Sequence, residues 1–155
     1  NEKEEAFAEL QSACTLAASL VARDREVSDW HALRRDCLAE EASFDVGTGA
    51  GGPALAAATQ ALDVARSVKS SDCCHDQYGI ARAYRLLGDA HRLLGNRTAA
   101  EDAWTRAFAA LPRTCAERPS EKNEREIILT RAGRTGEADQ LAKKLTAMGY
   151  RATDS

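Results

Sequence analysis

Four side chains between residues 82 and 92 have the types and spacing that favour recognition chemistry: Arg82, Arg85, Asp89 and Arg92. Spacings of three, four and three put them along one stripe of a helix. Arginine presents a planar fork of donors, so such a stripe could hold a carboxylate or an acidic peptide. It equally suits an ordinary solvated face closed by an Asp89–Arg85 or Asp89–Arg92 pair. Cys73, Cys74 and His75 invite a metal reading. Adjacent cysteines are poorly placed for tetrahedral zinc, however, and no second CxxC or HxxxH partner appears, so a connector carrying thiols is the simpler expectation.

Gly47-x-Gly49-x-x-Gly52 satisfies the dinucleotide fingerprint in form. It follows a helical pattern rather than a strand and has no P-loop lysine, which makes it a flexible turn. His31 and His91 stand alone on helices and read as packing residues. The charge run from Glu121 to Glu126 reads as a solvated helix face. No serine–histidine–acid or cysteine–histidine set can be placed, so the sequence predicts no enzyme, no catalytic residue, no metal and no cofactor.

These residues need helices to position them. Alanine and leucine are abundant while valine and isoleucine are sparse, which favours an all-α chain. Apolar residues three and four apart predict helices over about 4–23, with Phe7, Leu10, Cys14, Ala17, Leu20 and Val21 near one face, and over 29–44, with Trp30, Leu33, Cys37 and Leu38 inward. The glycine-rich stretch 45–54 breaks the pattern, and Pro53 suits the first turn of a helix over 54–69. Further helices are predicted over 75–94, 98–111, 120–131 and 136–148. Gly95 and Gly133 fall at the turns within helical pairs, and Gly149 closes the last helix.

At 155 residues the chain fits one domain with a useful core, and 44% hydrophobic against 29% charged residues is the balance of a globular protein. A formal net charge of -3 gives no general attraction for nucleic acid or anionic lipid, so no nucleic-acid or membrane partner is expected. No apolar run is long enough to span a bilayer and no signal peptide opens the chain. The chain begins at Asn1 rather than at methionine and reads as a fragment of a longer protein. Five cysteines cannot all pair within one chain, and the simplest reading is reduced thiols in the cytoplasm. An extracytoplasmic tail would instead allow one or two long-range bridges.

Tyr84-x2-Leu87-Gly88-x2-His91, followed by Ala100-x3-Trp104, Ala107 and Pro112, resembles the spacing pattern of the tetratricopeptide repeat. Gly88 would let two helices approach closely, Ala100 and Ala107 are small where they cross, and Trp104 fills the next gap. The same register can be laid on Leu38, Ala42, Gly49, Ala54, Ala58 and Ala61, with Glu41 at a position that expects a large apolar residue. Gly133, Ala138 and Ala142 fit the second half of another unit. The resemblance implies a solenoid of about seven helices in one domain: 1–24 a packing helix or half repeat, 29–69 a degenerate repeat, 75–113 the clearest repeat and 119–149 a degenerate capping repeat. Lys143 and Lys144 would lie on the outer face of the cap.

The first helix of each pair would line a concave groove. The resemblance then implies a non-enzymatic module that binds a peptide or helix of a partner protein, or another domain of its own chain. Arg82, Arg85, Asp89 and Arg92 would be the partner-binding residues for an acidic partner. The family's clamp for C-terminal carboxylates uses lysine and asparagine, and Arg85 and Asp89 stand there instead. A ligand-responsive regulatory domain is the alternative, since similar repeats are attached to bacterial signalling proteins. Phe7, Leu10 and Leu20 could alternatively make a homodimer surface.

Overall fold

Apolar residues recurring at helical spacing, punctuated by single glycines, leave this chain one economical way to bury them: pairs of antiparallel helices. The computed structural model describes residues 2–150 and contains, among them, seven helices and no strand. They are α1 (Glu2–Arg23), α2 (Ser28–Thr48), α3 (Gly51–Ser67), α4 (Cys73–Leu93), α5 (Arg97–Ala110), α6 (Pro119–Arg131) and α7 (Thr135–Ala147). Among the described residues no helix is long and apolar enough to cross a membrane.

One turn closes each of three hairpins. Gly49, Gly95 and Gly133 adopt φ of 79°, 78° and 77°, a region that costs other residues a Cβ clash. After each, the next residue's amide reaches back to the helix: Ala50 to Asp45 O at 2.8 Å, Asn96 to His91 O at 2.9 Å, Arg134 to Leu129 O at 2.8 Å. These bonds satisfy carbonyls that a helix end leaves open.

The first of these turns is shorter than the glycine-rich stretch suggests. The sequence ends α2 near Phe44 and starts α3 at Ala54, but α2 continues to Thr48 and α3 begins at Gly51. Gly47 is absorbed inside α2 at modest cost, and only Gly49 needs the left-handed conformation. Gly51 is small for a different reason: a Cβ there would sit 3.1 Å from Leu93 and Leu94 at the end of α4.

Side-chain contacts give the helices their order. Arg35 meets Asp76, Asp36 meets His75 and Arg82 meets Glu40, so α2 and α4 run parallel. His75 with Glu121, Arg85 with Glu124 and Asp89 with Arg131 set α4 and α6 parallel in the same way. α3 packs on α2 and α4, α5 on α4 and α6, and α7 on α6, forming a second layer behind the first.

Small residues let these layers meet closely. One core cluster joins Leu38, Ala42, Ala58, Ala61, Leu62 and Leu86 from α2, α3 and α4. A second joins Tyr78, Ala81, Ala107, Leu111 and Ile128 from α4, α5 and α6. Gly88 lies flat against Trp104, whose ring atoms would stand 2.3 Å from an added Cβ. Glycine there is a packing requirement, as the sequence expects.

Among the described helices, α1 packs on α2 alone. The two run antiparallel, with the Phe7 ring stacked on Phe44 at 4.3 Å and Cys14 bonded to Cys37. Cys74 in the first turn of α4 is bonded to Cys115 in the α5–α6 connection, and Cys73 is free and exposed. The reading of five reduced thiols is therefore corrected. Partners 23 and 41 residues apart become neighbours only through helix packing, which spacing along the chain does not reveal.

Candidate functional site

The parallel helices α2, α4 and α6 carry the residues that line a trough along one face of the domain. Its end at the helix N-termini is a cavity of ≈ 440 Å³ edged by Asp36, Glu40, His75, Tyr78 and Glu121. Its other end, of ≈ 630 Å³, is walled by Phe7 and Leu10 of α1, Phe44 of α2, Arg92 of α4 and Arg131 of α6. Glu40, Ser43, Arg85 and Ile127 line both cavities, so the two adjoin.

The four residues singled out in α4 all belong to this face, but they do different things there. Arg85 is only 5% exposed and holds Glu124 with both arms of its fork, Nε to Oε1 at 2.8 Å and Nη2 to Oε2 at 3.0 Å. Its Nη1 donates to Asp89 at 3.1 Å. Asp89, 1% exposed, also accepts from Arg131 Nε at 2.7 Å and Trp104 Nε1 at 3.2 Å. Arg82 is partly exposed and joins Glu40 at 2.9 Å, with Glu124 at 3.8 Å behind it. Arg92 is exposed, and its side chain has no hydrogen bond or ion pair with any described residue.

Two of the four are therefore relocated from ligand contact to architecture. Arg85 and Asp89 are saturated by the seam between α4 and α6, and a ligand could recruit them only by breaking buried bonds. The reading of Glu121–Glu126 as a solvated face is corrected too, because Glu121 and Glu124 are buried. Glu121, Glu124 and Arg131 recur at spacings of three and seven, a stripe whose charges oppose those of Arg82, Arg85 and Asp89. That complementarity is the signal by which sequence reasoning could have found the seam.

Charge states follow from this geometry. Burial by itself would lower the affinity of Arg85 for its proton, but the Glu124 and Asp89 charges outweigh it and hold the guanidinium above its ordinary pKa. Burial would raise Glu124, yet Arg85 and Arg82 pull it below its ordinary 4.5. A carboxylate depressed in the folded state contributes stability that is present above its unfolded pKa and lost as pH falls through the folded one. The unfolding free energy should accordingly drop as pH falls below about 4.5, and urea titrations of Glu124→Gln should show a shallower acid decline.

A second buried pair lies beneath the acidic end. Arg35, fully buried, donates to Asp36 at 2.8 Å and Asp76 at 3.0 Å. Burial works against its charge, but these two carboxylates more than compensate and raise its pKa. Gly79 makes room for it, since a Cβ would come within 2.6 Å of Arg35 Cδ and Nε. His75 stands between helices, Nε2 3.1 Å from Asp36 and Nδ1 3.4 Å from Glu121. Nearby, the Tyr78 hydroxyl donates to Glu117 and accepts from Arg125 Nε at 3.1 Å; burial first, then Glu117, pushes its pKa up.

The other sequence candidates fall elsewhere. The glycine fingerprint is the end of α2 and the start of α3. Cys73 and Cys74 open α4, with Cys74 occupied by its disulfide; among the described residues no three His, Cys, Asp or Glu side chains are placed to hold a metal ion. His31 contacts the Arg25 carbonyl at 3.0 Å, and His91 is partly buried on α4. Phe7 and Leu10 face the trough rather than outward, while Leu16 and Leu33 are the exposed leucines of the α1–α2 pair. Among the described residues no hydrogen bond joins Ser43 or Ser120 to His75, whose ring nitrogens face Asp36 and Glu121.

Comparison with protein-family models, with curated proteins and with solved structures finds no match to this chain.

Proposed function

We propose that this chain is a non-enzymatic interaction module of tetratricopeptide-like design, which binds a segment of a partner protein along its concave face. The observation that carries the reading is the continuous trough lined by three parallel helices, with one exposed arginine, Arg92, left uncommitted beside it. Gly88 against Trp104 and the repeated glycine turn support the resemblance to that repeat. The partner-binding role moves from the set Arg82, Arg85, Asp89 and Arg92 to Arg92 and, more weakly, Arg82.

A trough with charged rims along its whole length suits an extended chain better than a small molecule, which favours peptide recognition over ligand-gated regulation. The two disulfides favour an oxidising compartment over the cytoplasm. The test is selection of displayed random eight-residue peptides on the intact domain. Enriched peptides should lose binding to Ser43→Trp, which fills the junction of the two cavities, and keep it with Lys144→Glu on the exposed face of α7. Enrichment of nothing, or peptides indifferent to Ser43→Trp, would sink the reading.

A further inference from the structure

The two ends of the trough differ in charge and in what surrounds the charge. At the N-terminal end, Asp36 and Glu40 stand one turn apart on α2, their side chains 40% and 55% exposed. Each is only partly used: Asp36 by Arg35 and His75, Glu40 by Arg82. Glu121 backs them from α6. Glu40 lines both cavities; beyond it, the charged side chains of the far end that reach solvent are Lys3, Arg92 and Arg131. Arg92 is uncommitted, and Arg131 gives Nε to Asp89 while its side chain stays 29% exposed. Asp89 beneath is buried and paired with Arg131 as well as Arg85, which offsets part of the Arg131 charge and leaves Arg92 as the stronger cation for an incoming group. Beside these arginines lies the apolar wall of Phe7, Leu10 and Phe44. Asp36 and Glu40 lie mid-helix in α2, but Glu121 in the first turn of α6 and Arg92 and Arg131 in the last turns of α4 and α6 stand where the helix dipoles favour them.

From this polarity we infer the chemistry of the occupant, an inference that rests on the groove reading above. It is an extended segment with lysine or arginine at one end and, at the other, an aspartate or glutamate next to a bulky apolar residue. The basic end lies over Asp36 and Glu40. The acidic group reaches Arg92 and Arg131, and its apolar neighbour lodges against Phe7, Leu10 and Phe44. From His75 to Arg92 the floor runs about 25 Å at the helical rise, which an extended chain covers in about eight residues. Helix α1 is part of the site, because it supplies the apolar wall and is held there by its packing on α2 and the Cys14–Cys37 bond.

The experiment compares two labelled eight-residue peptides by fluorescence anisotropy on the oxidised domain. One has two lysines at one end and Phe–Glu at the other. The second exchanges the charges, with Phe–Lys at one end and two glutamates at the other. The first should bind about tenfold tighter, since its ionic contacts are made where those of the second are opposed. Arg92→Glu should erase or invert that preference while leaving the circular dichroism spectrum unchanged, the Arg92 side chain having no bond to lose. Cys14→Ser/Cys37→Ser should weaken the first peptide by freeing the apolar wall. Equal binding of the two peptides, abolished by Ser43→Trp, would overturn the polarity and leave the groove reading standing. Preference for peptides with helical periodicity would overturn the extended occupant. Failure of every peptide to depend on the groove would overturn both.

Discussion

Arg85→Ala should unfold at a free energy about 3–5 kcal/mol below that of the wild-type domain in urea titration. The loss comes chiefly from what is left behind. Glu124 and Asp89 are both buried, and Arg85 supplies Glu124 with a two-armed partner and Asp89 with one of three donors. Removing the cation strands Glu124, which has little water to turn to, and leaves Asp89 with Arg131 and Trp104. The packing share can be separated. Arg85→Met keeps most of the volume and should be nearly as damaging as alanine, whereas Arg85→Met combined with Glu124→Gln and Asp89→Asn should recover much of the loss. If Arg85→Ala is neutral, the seam between α4 and α6 is not held by this network.

Cys74→Ser/Cys115→Ser should cost about 3–4 kcal/mol on chain-entropy grounds, for a loop closed across 41 residues. The bond fastens the first turn of α4 to the α5–α6 connection, where Arg118 also reaches Asp72 at 2.6 Å and Glu121 caps the Arg118 amide at 2.8 Å. Those polar contacts are partly exposed and contribute little alone, so the covalent link dominates the fastening of this connection. Dithiothreitol, which also reduces Cys14–Cys37, should cost the wild type at least as much. Cys73→Ser should change stability by no more than about 0.5 kcal/mol, because Cys73 is free and exposed. Equal effects at Cys73 and at Cys74/Cys115 would contradict the assigned pairing.

Much of the fold was legible because its determinants are local. Gly95 and Gly133 mark turns by a backbone preference that no neighbour alters, and the Gly88, Ala100, Trp104, Ala107 set encodes the closeness of α4 and α5. The glycine-rich stretch misled because one glycine, Gly47, sits inside a helix that packing sustains. The site was half legible. A stripe such as Arg82, Arg85, Asp89 and Arg92 specifies a shared helix face, but not whether another helix covers part of it. Here α6 covers Arg85 and Asp89 and leaves Arg92 open. The disulfides were illegible for the same reason, since Cys14 meets Cys37 only once α1 folds back on α2. The trough itself is a property of three helices from distant parts of the chain, and His75 gains its place between Asp36 and Glu121 only there.

The face shared by α2, α4 and α6 is the proposed binding site of a partner segment. The most direct measurement is the Kd of a peptide enriched on the wild-type domain, determined in parallel for wild type, Ser43→Trp and Lys144→Glu. The account predicts weakening by about tenfold or more in Ser43→Trp, since the tryptophan occupies the space where the two cavities join, and no change in Lys144→Glu. Unchanged affinity in Ser43→Trp, in a domain whose circular dichroism matches wild type, would contradict it.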